Sequence, residues 1–167
     1  MTLAEINAMS EDAFVAALGG VFEHSPWVAQ RAFAERPFAS VDALHAAMVR
    51  AVDRASERDK LALLRAHPEL AGKAAIRGEL TADSTSEQSG AGLSQCTPQE
   101  HARITDLNAR YNARFGFPFI LAVKGYDRAG IIAEFARRVT RERAAEFDEC
   151  LQQVRRIARL RLDAMAN

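Results

Sequence analysis

Alanine dominates this chain. It supplies 33 of the 167 residues, against 22 for valine, isoleucine and threonine together. Alanine is the best helix former, whereas β-branched residues favour strands. A chain of this composition is expected to be all-α. Its 167 residues suit one domain with a real core, so a single-domain helical bundle over residues 1–167 is predicted. Helix punctuation agrees. Ser25-Pro26 reads as an N-cap followed by proline at the first helical position. Ser40 and Ser56 precede apolar-periodic runs as candidate N-caps. Thr97-Pro98-Gln99-Glu100 is a capping box with proline at its first helical position. The helix it opens carries Ile104, Leu107 and Tyr111 on one face and should stop near Gly116. Asp127 can cap a helix holding Ile131, Ile132 and Phe135, and a long last helix should run from about Arg141. No internal repeat or low-complexity linker interrupts the pattern.

Two stretches depart from helical periodicity. Leu80 to Cys96 is rich in Ser, Thr, Gly and Gln. Phe115 to Gly125 is apolar, interrupted by Pro118 and bounded by glycines. A lone strand there would have no ladder partner. Residues Phe117 to Lys124 are therefore expected to form an extended buried segment lying across helices. Its backbone N–H and C=O groups then require partners. A ligand rich in donors and acceptors would supply them, and so would side chains or water.

Charge and cysteine usage exclude several classes. Lys+Arg and Asp+Glu both number 22, a formal net charge of +0. A protein that works through phosphate contacts carries a basic excess, so no nucleic-acid partner is expected. No apolar run approaches the length of a membrane span, so no membrane partner is expected either. Met1 to Ala17 lacks a basic start followed by an apolar stretch, and the final residues are not a peroxisomal address. Cys96 and Cys150 cannot build a disulfide framework or a thiolate metal site, which suits a reducing cytoplasm. The four histidines, His24, His45, His67 and His101, include no pair at i, i+4, so no metal site is expected. There is no P-loop and no Gly-x-Ser-x-Gly elbow, and Gly90-Ala-Gly92 lacks the third glycine of a dinucleotide motif.

Three residues stand out for their chemistry. His67 ends the run Lys60 to His67 and precedes Pro68, which pushes it out of the helical region. An imidazole at such a corner is rigid, can face a cleft and titrates near neutral pH. It can also be a helix-terminal histidine interacting with the last carbonyls, the commoner role for such a residue. Glu87 follows Ser84 by three residues, the spacing of a capping box. It either caps its own helix or offers a carboxylate where backbone N–H groups can also bind an anion. Arg161 emerges from the last helix. With about 100° per residue from Phe147, Leu151, Val154, Ile157, Ala158 and Met165 form an apolar stripe from roughly 280° through 0° to 40°. Arg155, Arg156 and Arg159 fall outside it, but Arg161 falls inside, at about 320°. A buried arginine requires an anion, which is either a protein carboxylate or a substrate carboxylate held bidentately.

Several motifs in order resemble the 2-oxo-4-hydroxy-4-carboxy-5-ureidoimidazoline (OHCU) decarboxylase family. They are Ser25-Pro-Trp27, Leu63-Leu-Arg-Ala-His-Pro-Glu-Leu-Ala71, Ser84-Thr-Ser-Glu-Gln-Ser-Gly-Ala-Gly-Leu93, Asn108-Ala-Arg-Tyr111, Phe115 to Gly125, and Ile157-Ala-Arg-Leu-Arg-Leu162. The resemblance covers nearly the whole chain. It implies an all-helical homodimer, without metal or organic cofactor, that removes CO2 from OHCU to give (S)-allantoin in urate degradation. It implies that His67 is the catalytic acid/base, Glu87 the catalytic carboxylate and Arg161 the substrate-binding arginine. Pro68 would line the pocket. Ser84, Thr85, Ser86 and Gln88, with Phe119, Ile120, Leu121, Ala122 and Val123, would contact the substrate, partly through backbone. The alternatives are a related lyase acting on another ureido or imidazole acid, and a catalytically silent helical interaction module.

Overall fold

The computed structural model describes residues 1–166. Among the described residues it is all-α, with ten α-helices, one 3₁₀ turn at Leu93–Gln95 and no strand. The helices are α1 (Leu3–Ala8), α2 (Glu11–Leu18), α3 (Trp27–Phe33), α4 (Val41–Asp53), α5 (Glu57–Arg65), α6 (Lys73–Ile76), α7 (Ala82–Gly90), α8 (Pro98–Phe115), α9 (Arg128–Arg138) and α10 (Arg143–Met165). Two compact units are distinguishable. One comprises Met1–Ala66 with the chain from Val154 onward, the other His67–Gln153.

Most helix starts follow from local sequence. Ser40 and Ser56 accept from Ala43 N–H and Asp59 N–H, and Asp127 accepts from Gly130 N–H. Thr97 and Glu100 form the reciprocal capping box, with Pro98 first in α8. Gly116 ends that helix at φ 78°, a left-handed conformation open to glycine at little cost. Two expected caps are replaced. Ser25 does not cap α3: Pro26 occupies the cap position with no side-chain bond, and Ser25 Oγ donates instead to Glu23 O at 2.9 Å. Ser84 and Glu87 do not form a capping box, because Thr81 caps α7 by accepting from Ser84 N–H. Starting at Thr81 adds backbone hydrogen bonds that a start at Ser84 would forgo.

In the first unit, α2, α3 and α4 bury Phe14, Leu18, Val28, Ala32, Leu44 and Met48. Phe14 meets Phe33 edge-on at 5.5 Å and stacks on Phe38 at 6.2 Å between centroids. In the second unit the core is aromatic. Tyr111 of α8 sits among Phe115, Phe117, Phe119 and Phe135, and Phe119 stacks on Phe135 with centroids 3.9 Å apart. Residues 117–123 are the expected extended segment: they adopt no regular structure, and all but half-buried Ala122 are buried, while Lys124 is exposed.

Candidate active site

The His67–Pro68 corner belongs to the second unit. The preceding helix α5 ends at Arg65 with Ala66 as its C-cap, so the chain leaves the helix just before His67, as proline at position 68 requires. His67 is 8 % exposed and Pro68 half-buried. The loop that follows is held from two helices. Gln88 Oε1 of α7 accepts from Ala71 N–H at 2.9 Å, and its Nε2 donates to Glu69 O at 3.3 Å. From α8, Asn108 Nδ2 donates to Leu70 O at 3.0 Å and Asn112 Nδ2 to Glu69 Oε1 at 2.6 Å. Ala71 takes φ 49°, a strained value for a residue with a Cβ. Its N–H is the one that Gln88 holds, so the strain is fixed by a buried side chain. Asn108 and Asn112 were not singled out for this role: their spacing puts them on one face of α8, but nothing local says which loop that face meets.

The same tie brings two of the sequence-predicted residues onto adjoining elements. Glu87 immediately precedes Gln88 on α7, and Gln88 is bonded to the loop two and four residues beyond His67. Glu87 is half-buried within the helix. It is therefore not the N-terminal carboxylate that the expected capping box implied. Ser84 and Gln88 are buried on one face of α7, whereas Thr85 and Ser86 are exposed, and Thr85 Oγ1 donates back to Thr81 O at 2.9 Å. A cavity of about 730 Å³ opens beside α7, lined by Ala71, Thr85, Gln88, Ser89, Cys96 and His101 among others. Neither His67 nor Glu87 lines it.

The segment 117–123 carries Phe119, Ile120, Leu121, Ala122 and Val123. Protein side chains meet part of the backbone demand expected there. Arg138 Nη1 donates to Ile120 O at 2.7 Å, Gln153 Oε1 accepts from Ala122 N–H at 3.0 Å, and Cys150 Sγ lies 3.8 Å from Pro118 O. Arg138 is itself locked in place. Its Nε donates to Glu146 Oε1 at 2.8 Å, its Nη2 to Cys150 Sγ at 3.3 Å, and its Cζ lies 4.4 Å from the Phe119 ring centroid. Tyr111 OH donates to Glu146 Oε1 at 2.6 Å, and Arg141 Nη1 to Glu146 Oε2 at 2.9 Å. Arg138, Glu146, Tyr111 and Cys150 are all 0 % exposed. Burial pushes the Tyr111 hydroxyl well above its ordinary range and raises the Cys150 thiol, so both stay protonated at neutral pH.

Arg161 belongs to the first unit and is 4 % exposed, as its place on the apolar stripe of α10 requires. Its anion is a protein carboxylate. Arg161 Nη1 lies 2.7 Å from Glu23 Oε2 and donates to Gly20 O at 3.1 Å. Glu23 is 2 % exposed and was not anticipated, because the helical wheel shows that Arg161 faces inward but not what it meets. Arg159, two residues away, is a surface residue that pairs with Asp42 and Asp163. Arg155 pairs with Asp53. No group of three or more His, Cys, Asp or Glu side chains among the described residues is arranged to hold a metal ion, and no described helix is long and apolar enough to cross a membrane.

The model of one protein family, OHCU decarboxylase, matches residues 7–163, almost the whole chain. The chain belongs to that family. A relative from Haloferax volcanii, named 2-oxo-4-hydroxy-4-carboxy-5-ureidoimidazoline decarboxylase, is 45% identical over 97% of this chain and 94% of its own length. A human relative, named as a putative decarboxylase of the same compound, is 39% identical over 97% of this chain and 94% of its own. A crystal structure of an (S)-allantoin synthase superposes with a TM-score of 0.79 at 29% identity. It covers 100% of this chain, which spans 54% of that longer one. Members of the family are decarboxylases by name, and the arrangement around His67 and Glu87 belongs to a part of the chain that the family model spans.

Proposed function

We propose that this protein decarboxylates OHCU to (S)-allantoin and CO2, a step of urate degradation. The reading rests on the near full-length likeness to relatives named for that reaction, and it assigns residues 1–167 to one domain of the family. The reaction breaks the bond between a ring carbon and its carboxylate. CO2 leaves, the electron pair passes into the conjugated ring, and one proton completes neutral (S)-allantoin. Because the ring accepts the pair, the protein's task is to bind, exclude water and place a proton on one face.

In this reading His67 is the acid/base: it either takes the proton of the 4-hydroxyl or protonates the carbanion. The loop bonds of Gln88 and Asn108 support it, since they hold the corner that carries the imidazole. Glu87 is the second catalytic group. It disfavours the charged carboxylate by like-charge repulsion or accepts from the ureido N–H groups. Arg161 binds the substrate. Pro68, Ser84, Thr85, Ser86 and Gln88, with Phe119 to Val123, form its surroundings. The exposure of Thr85 and Ser86 makes their contacts the first to test. The protein works as a homodimer in the cytoplasm, which light scattering and cell fractionation would check.

The experiment is circular dichroism during coupled urate oxidation, with urate oxidase and hydroxyisourate hydrolase generating OHCU in the cuvette. Addition of this protein should speed the loss of the OHCU signal and the growth of that of (S)-allantoin. Decay no faster than the spontaneous rate, with folded protein, overturns the reading. A folded His67→Ala variant should retain at most about a hundredth of the turnover. Near wild-type turnover in that variant would remove His67 from the mechanism.

A further inference from the structure

Glu23 has no part in the mechanism above, yet it is among the most deeply placed charges of the first unit. Burying a carboxylate is costly unless geometry repays the lost hydration. Here the geometry is built by a short loop. Val21 N–H donates to Leu18 O at 3.1 Å and Ser25 N–H to Phe22 O at 3.0 Å. Ser25 Oγ donates to Glu23 O at 2.9 Å, which explains why this serine is not a helix cap. His24 takes φ 48°, in the left-handed region that non-glycine residues rarely occupy. The loop then grips one guanidinium at two points, through Gly20 O and the Glu23 carboxylate. Strain of this kind persists only where surroundings enforce it, and it gathers at functional places.

We propose that Glu23 is a positioning residue that sets what Arg161 recognises. The inference rests on the assignment of Arg161 as the substrate-binding arginine. A guanidinium with a buried carboxylate 2.7 Å away presents no net charge to a ligand. A second carboxylate brought to it would face Glu23 in a low-dielectric setting, where like charges repel far more strongly than in water. A carbonyl meets no such repulsion and still accepts from an oriented N–H. Arg161 therefore addresses an uncharged acceptor of the substrate, a ring or ureido carbonyl, and not the carboxylate that leaves. The arrangement favours turnover. A cation gripping the departing carboxylate would stabilise the ground state more than the transition state, in which that charge is disappearing.

The test uses the full chain, the variant Glu23→Gln and two inhibitors of OHCU turnover. (S)-Allantoin is uncharged, and allantoate carries a carboxylate beside the same ureido groups. In the wild type, allantoate should inhibit no better than (S)-allantoin. In Glu23→Gln, with that carboxylate charge removed, Arg161 should bind allantoate about tenfold more tightly and (S)-allantoin no more tightly than before. The kcat for OHCU should fall while KM falls or stays level, the pattern of a substrate held too well in its ground state. A variant that shifts both inhibition constants in parallel, or neither, overturns the proposal. Should Glu23→Gln not fold, Glu23→Asp keeps the charge but draws it back by one methylene. Allantoate should then gain a few-fold over (S)-allantoin, and an unchanged ratio overturns the proposal. Wild-type protein that leaves OHCU untouched would instead overturn the assigned activity. Calorimetric titration of the two ligands would then still decide the role of Glu23.

Discussion

Among the described residues each compact unit buries one arginine, and the two are held differently. Arg138 lies in a network assembled from neighbouring elements. Its three guanidinium nitrogens reach a carboxylate, a backbone carbonyl and a thiol, its face covers Phe119, and the Glu146 carboxylate is shared with Tyr111 and Arg141. Arg161 is met by a carboxylate from the opposite end of the chain, delivered by a loop with a strained residue beside it. The first arrangement carries no backbone strain at its charged members and fixes the carbonyl of Ile120. The second keeps a strained turn whose evident product is the direction of one carboxylate. The contrast teaches that a buried ion pair is not one kind of object. One organises a chain segment, and the other, in the proposal above, sets the charge of a recognition group.

Substitutions that treat the two pairs alike should give unlike results. The largest expected effect is on stability. Arg138→Met leaves Glu146 and the Ile120 carbonyl short of a buried partner, and should lower unfolding free energy by about 3–5 kcal/mol, read from denaturant midpoints. A loss under about 1 kcal/mol would show that the network relaxes around the gap. Replacing the other pair as a unit, Glu23→Leu with Arg161→Met, should leave stability within about 1.5 kcal/mol of wild type, because no lone buried charge remains. The same double variant should lose on the order of 10²–10³ in kcat/KM, through the missing arginine. Retained turnover would make the Arg161 pair structural like its counterpart.

Titration sharpens the comparison further, since the Arg138 network contains two buried groups pushed upward. Cys150 and Tyr111 have ordinary values of 9.0 and 10.0, and burial raises both. Below these values both states are protonated and the stabilisation is complete. As pH rises past them, the unfolded chain deprotonates first and binds fewer protons than the native state. Stability should therefore decline from about pH 9 upward. Cys150→Ala and Tyr111→Phe should each flatten that decline, measured by denaturation across an alkaline series. A slope unchanged in both variants would place the sensitivity elsewhere. The smallest effect belongs to Arg159→Ala. Its partners Asp42 and Asp163 are exposed or nearly so, and it should cost under about 1 kcal/mol with turnover unchanged. A large loss of turnover would shift the substrate-binding role from Arg161 to its neighbour.

Much of this was legible in the residues. Ser40, Ser56, Thr97 and Asp127 cap helices because a side-chain oxygen beside orphan N–H groups is a local fact. The burial of Arg161 followed from period alone, as did the surface position of Arg159. The choice between Thr81 and Ser84 was not legible, since both are good caps and the longer helix wins only when the whole element is counted. The wheel could say that Arg161 needed an anion, but not that Glu23 would supply it.

The sequence by itself determined the helical class, the helix starts at Ser40, Ser56, Thr97 and Asp127, the break at His67–Pro68, the buried run 117–123 and the inward face of α10. Each is a consequence of interactions within a few residues, or of a periodicity that one segment carries alone. Tertiary structure decided the partners: Gln88 on the loop after His67, Arg138 and Gln153 on the segment 117–123, and Glu23 on Arg161. These bonds join groups far apart in the chain. Their formation depends on which side chains the packed core leaves within reach of one another, and local propensity holds no record of that.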